Sequence, residues 1–275
     1  MNSSYQQRPL VSVVVPAYNA ERHIEATLAS IQAQSVINIE ILVVDDCSND
    51  GTMGLVERIS AQDPRVQYLR TPANCGGPAG PRNLGVKAAR AEWLALCDAD
   101  DLWHPQKLEF QLHCAKLEGA NFVCSQVTDF HSKNPPPAFA GVSSAKAEEL
   151  SVKMMLKKNR VATSSVLCHR MLLTHGNGFD TNKALSAVED FDMWLRLLDT
   201  HDVRMFRIMA SLVNYRILPG SLSANKWSQV ERIMLVLQLH FERRGLGWLF
   251  PVFSPFLAVT YLCTHIWHRV FRGRM

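Results

Sequence analysis

Asp98, Asp100 and Asp101 place three carboxylates within four positions, at the end of the apolar run "WLALC" (residues 93–97). Like charges this close repel one another, and no basic residue follows until Lys107. A sequence that keeps such a group calls for a cation. Two further acidic pairs stand out. Asp45-Asp46 closes the run "IEILVV", and Glu189-Asp190 opens "EDFDMWLRL". Each has a plainer reading: an Asp-rich cap for the helix after Pro105, a helix cap that Ser48 or Asn49 would serve equally well, and two acids suited to a helix N-terminus. The seven cysteines (47, 75, 97, 114, 124, 168 and 263) contain no CxxC pair, so neither a zinc site nor a disulfide framework is expected, and a reducing compartment fits.

The elements that must position these groups alternate over the first 130 residues. "VSVVVP" (residues 11–16), "IEILVV", "VQYL" (residues 66–69) and "WLALC" are short apolar runs of buried-strand type. Between them come helical patterns at about 20–34, 52–61 and 82–89, and another at 105–117. Strands alternating with helices predict a doubly wound, mostly parallel α/β sheet. Ligands bind such sheets outside the carboxyl ends of the strands, so Pro16–Asn19, Asp45-Asp46 and Asp98–Asp101 should meet in one crevice. Beyond Gln126 the pattern loosens through a Pro/Ser/Ala-rich stretch (residues 131–149), read as a linker or substrate loop. A helix over about 147–157, a strand "ATSSVLCH" (residues 162–169) and a helix over 184–199 follow. Trp194 is spaced to face inward on that last helix, and Asp192 and Arg196 read as structural.

Four blocks, "VSVVVPAYNAERHIEATLASI", "ILVVDDCSNDGT", "PRNLGVKAARAEWLALCDADDLWHPQKL" and "VEDFDMWLRLL", resemble in order the motifs of family 2 glycosyltransferases, over about Val11 to Ser223. The resemblance implies a GT-A, Rossmann-like fold and inverting transfer of a sugar from a nucleoside diphosphate, with UDP preferred. Asp98-Ala99-Asp100 then matches the D-x-D motif: Asp100 ligates Mn2+ or Mg2+, Asp98 lies toward the ribose, and Asp101 joins the metal set directly or through water. The cation neutralises the departing diphosphate. Asp46 is expected to recognise the base, with Pro16 and Tyr18 packed nearby, and Asp45 to be structural. Arg82 matches an arginine that faces the diphosphate. Asp190 is the expected general base on the acceptor hydroxyl, and Glu189 orients it or holds the acceptor. Arg216, Ser221 and Ser223, in "NYRILPGSLSANK", are candidates for closing over the diphosphate.

The net charge of +4 is unevenly placed. Residues 226–275 hold seven Lys/Arg against two Asp/Glu, so the first 225 residues carry −1. A basic tail on a near-neutral body suits an acidic membrane surface better than nucleic acid. From Leu246 to Trp267 no residue is formally charged, yet Pro251 and Pro255 interrupt the stretch. From Pro255 onward the apolar residues share one helical face, with His265, His268, Arg269 and Arg272 on the other. This predicts an amphipathic helix lying in an interface rather than crossing it; packing of that face on the protein's own body is the alternative. "MNSSYQQRPL" has no apolar core of a secretory signal.

The expected organisation is a glycosyltransferase domain over 1–225, with a nucleotide-binding half to about 130 and an acceptor half after it, and a basic helical tail over 226–275. The natural setting is the cytoplasmic face of an inner membrane, in a surface-polysaccharide pathway with a lipid-linked or oligosaccharide acceptor. Neither a dinucleotide-binding G-x-G-x-x-G nor a P-loop is present. The reading from a different class is a non-catalytic sugar-nucleotide or glycan-binding subunit with the same fold.

Overall fold

A computed structural model describes residues 8–131, 134–141, 146–200, 202–218 and 226–259. Four parallel strands form its first half: β1 (Val11–Ala17), β2 (Ile39–Asp45), β3 (Val66–Arg70) and β4 (Trp93–Leu96). β1 and β2 are buried along their whole length, as continuous β-branched runs require. The crossovers are α1 (Ile24–Gln32), α2 (Thr52–Gln62) and α3 (Ala79–Ala88). α3 lies close on the sheet because Gly85 faces Val14; a Cβ there would collide with the Val14 side chain.

The short β5 (Leu102–Trp103), α4 (Lys107–Glu118), β6 (Phe122–His131), β7 (Ala147–Glu149), α5 (Val152–Lys157), β8 (Leu167–His169), α6 (Arg170–His175), α7 (Glu189–Leu198), β9 (Met205–Ile217) and α8 (Lys226–Arg243) complete the order. The sheet runs β3-β2-β1-β4-β8-β6-β9-β5, and β7 pairs with β9. β8 is antiparallel to β4 and β6, whereas β6 and β9 are parallel. The sheet is therefore continuous across residue 130, and β8, from the second half of the chain, sits between β4 and β6.

Two expected elements differ. The helix expected from Ala147 begins only at Val152, because Ala147–Glu149 pairs with β9 as a strand. The expected strand at 162–169 is a 3-10 turn over Thr163–Ser165 followed by a three-residue strand. The Thr163 and Ser164 hydroxyls turn toward acidic side chains, and that of Ser165 donates to the Ala162 carbonyl.

The helical tail begins as α8, and its first part is docked. Ile233, Val236 and Leu237 are buried in the main core, beside Trp194 of α7. Arg243 Nη1 lies 2.8 Å from Asp192 Oδ1, and Arg232 Nη1 donates to the Ser186 carbonyl at 2.6 Å. Beyond a 3-10 turn at Gly247–Leu249 the backbone is helical over 250–259. Most of the expected amphipathic stretch, with Ser221 and Ser223, lies outside the described residues. Among the described residues no helix is long and apolar enough to cross a membrane.

Candidate active site

The strand ends meet as topology requires. A cleft of about 1130 Å³ is lined by Pro16, Tyr18, Asp46, Arg82, Asp98, Asp100, Glu189 and Asp190, among others. Eight of the expected site residues thus share one cavity. Asn19 and Cys47, which follow β1 and β2, and Ala187, just before α7, all adopt left-handed backbone (φ 48°, 62° and 71°). Such conformations cost of order 1–2 kcal/mol for a side chain with a Cβ, and all three mark places where the chain turns at the cleft.

At the end of β2, Asp46 is buried. Its Oδ1 accepts from Thr71 Oγ1 at 2.8 Å and from the Cys75 amide at 2.9 Å. These contacts fix the carboxylate on the cleft wall. Asp45 is fully buried and accepts from the Ser48 amide and the Tyr68 hydroxyl, a structural role. Burial, and then the Asp45 carboxylate, push the Tyr68 phenol up to about 12. Pro16 is buried and Tyr18 stands exposed at the rim.

The three aspartates after β4 divide in two. Asp98 and Asp100 line the cleft, but Asp101 does not. Asp101 is fully buried; its Oδ2 accepts from Ser164 Oγ and its Oδ1 from the Arg216 amide at 2.8 Å. Ser164 Oγ in turn accepts from the Asp98 amide at 2.9 Å. Asp101 therefore anchors the loop, with each of its oxygens accepting from a protein donor and its side chain outside the cleft lining. Arg216 is placed likewise. Its Nε donates to the Asp100 carbonyl at 2.7 Å, and its guanidinium lies 4.5 Å from the centre of the Phe130 ring. It braces the aspartate loop from behind, and it is not among the cleft-lining residues.

Among the described residues no group of three or more His, Cys, Asp or Glu side chains is disposed to hold an ion by itself. The donor set still fits a hard divalent cation, which commonly uses one or two carboxylates together with substrate phosphate oxygens. Burial first, then the neighbouring Asp98, push the Asp100 carboxyl up to about 6. The Arg216 charge pulls the other way without offsetting them.

Arg82, from the first turn of α3, is buried and bridges two carboxylates. Nη1 reaches Glu189 Oε1 at 2.6 Å, and Nη2 reaches Asp98 Oδ1 at 2.7 Å. Burial alone would lower its basicity, but Asp98 and Glu189 outweigh it and hold the guanidinium above its ordinary range. Glu189 Oε2 and Arg82 Nε are buried without partners. The Asp98–Arg82–Glu189 chain ties the end of β4 to the start of α7.

Asp190 lies beside this chain and faces the cleft. Its Oδ2 accepts from Thr163 Oγ1 at 2.8 Å and its Oδ1 from the Phe191 amide at 2.6 Å. Burial, then the Glu189 charge, push its carboxyl up to about 6, against the opposing pull of Arg82. A carboxylate raised this far is poised to take a proton near neutral pH. Sequence reasoning missed Thr163 and Ser164, which orient Asp190 and Asp101. The available signal was three consecutive hydroxyl residues, Thr163-Ser164-Ser165, inside an otherwise apolar run.

Known proteins share the sequence family and the fold. The family described as Glycosyl transferase family 2 matches residues 12–166. The Escherichia coli UDP-Glc:alpha-D-GlcNAc-diphosphoundecaprenol beta-1,3-glucosyltransferase WfaP is 31% identical over 232 residues, covering 83% of this chain and 86% of that protein. Among solved structures, S. aureus TarS in complex with UDP-GlcNAc superposes with a TM-score of 0.67 at 21% identity, covering 84% of this chain but only 65% of TarS. The mannosyltransferase PcManGT from Pyrobaculum calidifontis, in complex with GDP-Man and Mn2+, superposes with a TM-score of 0.61 at 18% identity, covering 96% of this chain and 76% of PcManGT. The chain belongs to glycosyl transferase family 2 and has the GT-A fold. It is a glycosyltransferase.

Removing one partner from a buried ion pair leaves an uncompensated charge and costs about 3–5 kcal/mol. Arg82→Leu should lose stability of that order in urea unfolding, and Arg82→Leu/Glu189→Leu should recover part of it. A single-variant loss below about 1 kcal/mol, the scale of an exposed pair, would show that the bridge is not what holds β4 and α7 together.

Proposed function

We propose that this chain is an inverting glycosyltransferase that moves a sugar from a nucleoside diphosphate, UDP in the first instance, to a hydroxyl of a lipid-linked glycan. The observation that carries the reading is one cleft with Asp98 and Asp100 at one end of a buried arginine bridge and the raised carboxylate of Asp190 at the other. The diphosphoundecaprenol-linked acceptor in the name of WfaP supports the acceptor class, and the UDP-GlcNAc bound to TarS supports the donor.

In this reading Asp46, Pro16 and Tyr18 receive the base. Asp100, with Asp98, would hold Mn2+ or Mg2+ together with the diphosphate oxygens, and that ion would supply charge neutralisation for the leaving group; the Mn2+ bound to PcManGT supports it. Asp190 accepts the proton of the acceptor hydroxyl, whose oxygen forms the new bond to the anomeric carbon. The bond from that carbon to the diphosphate oxygen breaks, and the nucleoside diphosphate carries the electron pair away. Attack from the side opposite the leaving group inverts the anomeric configuration, and no covalent enzyme intermediate forms. Thr163 holds the Asp190 oxygen in place. Glu189 acts on Asp190 through its charge, and on the cleft through Arg82. Arg216 and Asp101 position the aspartate loop. Ser223 is proposed as a diphosphate contact from the loop after β9.

We place the enzyme at an anionic membrane surface. Trp248, Val252, Phe256 and Val259 are spaced along one helical face and are 74%, 71%, 69% and 57% exposed. Such a stripe is an expected monotopic contact, and the Arg269, Arg272 and Arg274 that follow in the sequence suit acidic lipid.

Asp190→Asn should keep UDP affinity and lose about 10²–10⁴-fold in kcat, the usual worth of a general base. In the wild type, the base must be deprotonated and its carboxyl is raised to about 6. Activity should therefore be full above that value and fall as pH drops through it, about tenfold per unit below. A flat profile from pH 5 to 8, or a fully active Asp190→Asn, would remove Asp190 from the role. Trp248→Ser/Phe256→Ser should weaken sedimentation with phosphatidylglycerol vesicles by at least about 10-fold, since burying each side chain is worth about 1.5–3 kcal/mol. Unchanged sedimentation would exclude this stripe as the contact.

A further inference from the structure

The far wall of the cleft has the opposite charge to its donor end. Lys158, Arg160 and Arg207 line it. Arg207 of β9 pairs across the ladder with Glu148 of β7. The Nη1 atoms of Arg160 and Arg207 both lie 3.4 Å from the same Glu148 oxygen, Oε1. Two guanidinium groups thus share one carboxylate through long contacts, and the Nε atoms of both are buried without an acceptor. The two arginines outnumber Glu148 and leave this wall one net positive charge, whereas the donor end carries Asp46, Asp98 and Asp100, of which Asp98 is paired with Arg82. An excess of arginine donors over acceptors in a recess is suited to a phosphate-type anion, which takes the guanidinium fork two oxygens at a time.

Its position relative to the base follows from the chain. Residues Lys158 to Thr163 all line the cleft, with extended backbone at Lys158 and Ala162, and Thr163 donates to Asp190. Arg160 is three residues from Thr163, at most about 10 Å of chain. That separation is within reach of one sugar ring plus an arginine side chain. An acceptor sugar with its hydroxyl on Asp190 would therefore present its anomeric substituent to the two arginines.

We propose that Arg160 and Arg207, with Lys158, form an anion subsite for the diphosphate that joins the acceptor sugar to its lipid. The proposal rests on the donor and acceptor reading above. The subsite selects acceptors carrying a diphosphate, and Glu148 holds the two arginines in place while competing with the ligand for them.

The test is equilibrium binding to the full chain preloaded with UDP and Mn2+, using undecyl-diphosphate-GlcNAc, the undecyl glycoside of GlcNAc without the diphosphate, and inorganic pyrophosphate. Wild type should bind the diphosphate compound at least tenfold tighter than the glycoside, and Arg160→Gln/Arg207→Gln should abolish that preference. Glu148→Gln should strengthen it, a change of opposite sign that a merely structural role would not produce. UDP binding, measured separately, should be the same in all three proteins. No preference in wild type, or a preference that survives loss of both arginines, would overturn the subsite. Pyrophosphate binding as tightly as the lipid compound would overturn its assignment to the acceptor. Failure of UDP to bind wild type would instead strike at the glycosyltransferase site reading.

Discussion

The guanidinium of Arg82, buried between Asp98 and Glu189, is the contact on which the site depends. Its bond to Glu189 spans 107 positions and crosses from the parallel first half of the sheet to the helix that carries Asp190. A buried ion pair is no more stable than a well-packed apolar substitute, so stability alone does not account for it. It fixes two carboxylates in one register, and Asp190, next to Glu189, inherits that register. The bridge also grades the electrostatics. Asp98 and Glu189 share a cation, whereas Asp100 and Asp190 lack a full partner and are the two acids pushed up to about 6. Burial is the larger cause in both. Burial also raises Asp101, whose carboxylate is tied to Ser164 and to the Arg216 amide, so a raised carboxyl alone does not mark a reacting group.

A second layer holds this one in place. The 3-10 turn at Thr163–Ser165 presents one hydroxyl to Asp190 and the next to Asp101, so a single turn sets Asp190 and the aspartate loop together. Behind it, Trp103 Nε1 donates to the Ser164 carbonyl at 2.9 Å, and Lys107, fully buried, lies 3.8 Å from the centre of the Trp103 ring. Burial pulls the Lys107 amine down to about 7. Lys107 was the nearest basic residue in sequence to the three aspartates, yet its Nζ donates to Gln111 Oε1 at 2.8 Å. The counter-charge for Asp98 comes instead from α3.

This explains what was legible in the sequence. β1 to β4 were readable because a strand covered on both faces must be a continuous apolar run. The convergence of Asp46, Asp98 and Asp100 follows from parallel topology alone. The partners of those residues were not readable. Asp101 looks like its neighbours in sequence and is separated from them only by hydrogen bonds to Ser164 and Arg216, 63 and 115 residues away. The same long-range bonds pull Arg216 behind the loop and turn "ATSS" out of a strand. Ala147–Glu149 joined the sheet because the edge of β9 was there to pair with, a tertiary reason that outweighs local helix pattern. α8 resembled a basic tail by charge count, but its buried Val236 and Leu237 place it in the core.

If one end of the cleft binds a nucleoside diphosphate through Asp100 and a divalent cation, UDP binding should need both. Calorimetric titration of UDP into wild type and Asp100→Ala, each with Mn2+ and with EDTA, tests it most directly. Wild type in Mn2+ should bind UDP saturably, and that binding should be lost in EDTA and in the variant. UDP binding of equal strength in all four titrations would contradict it.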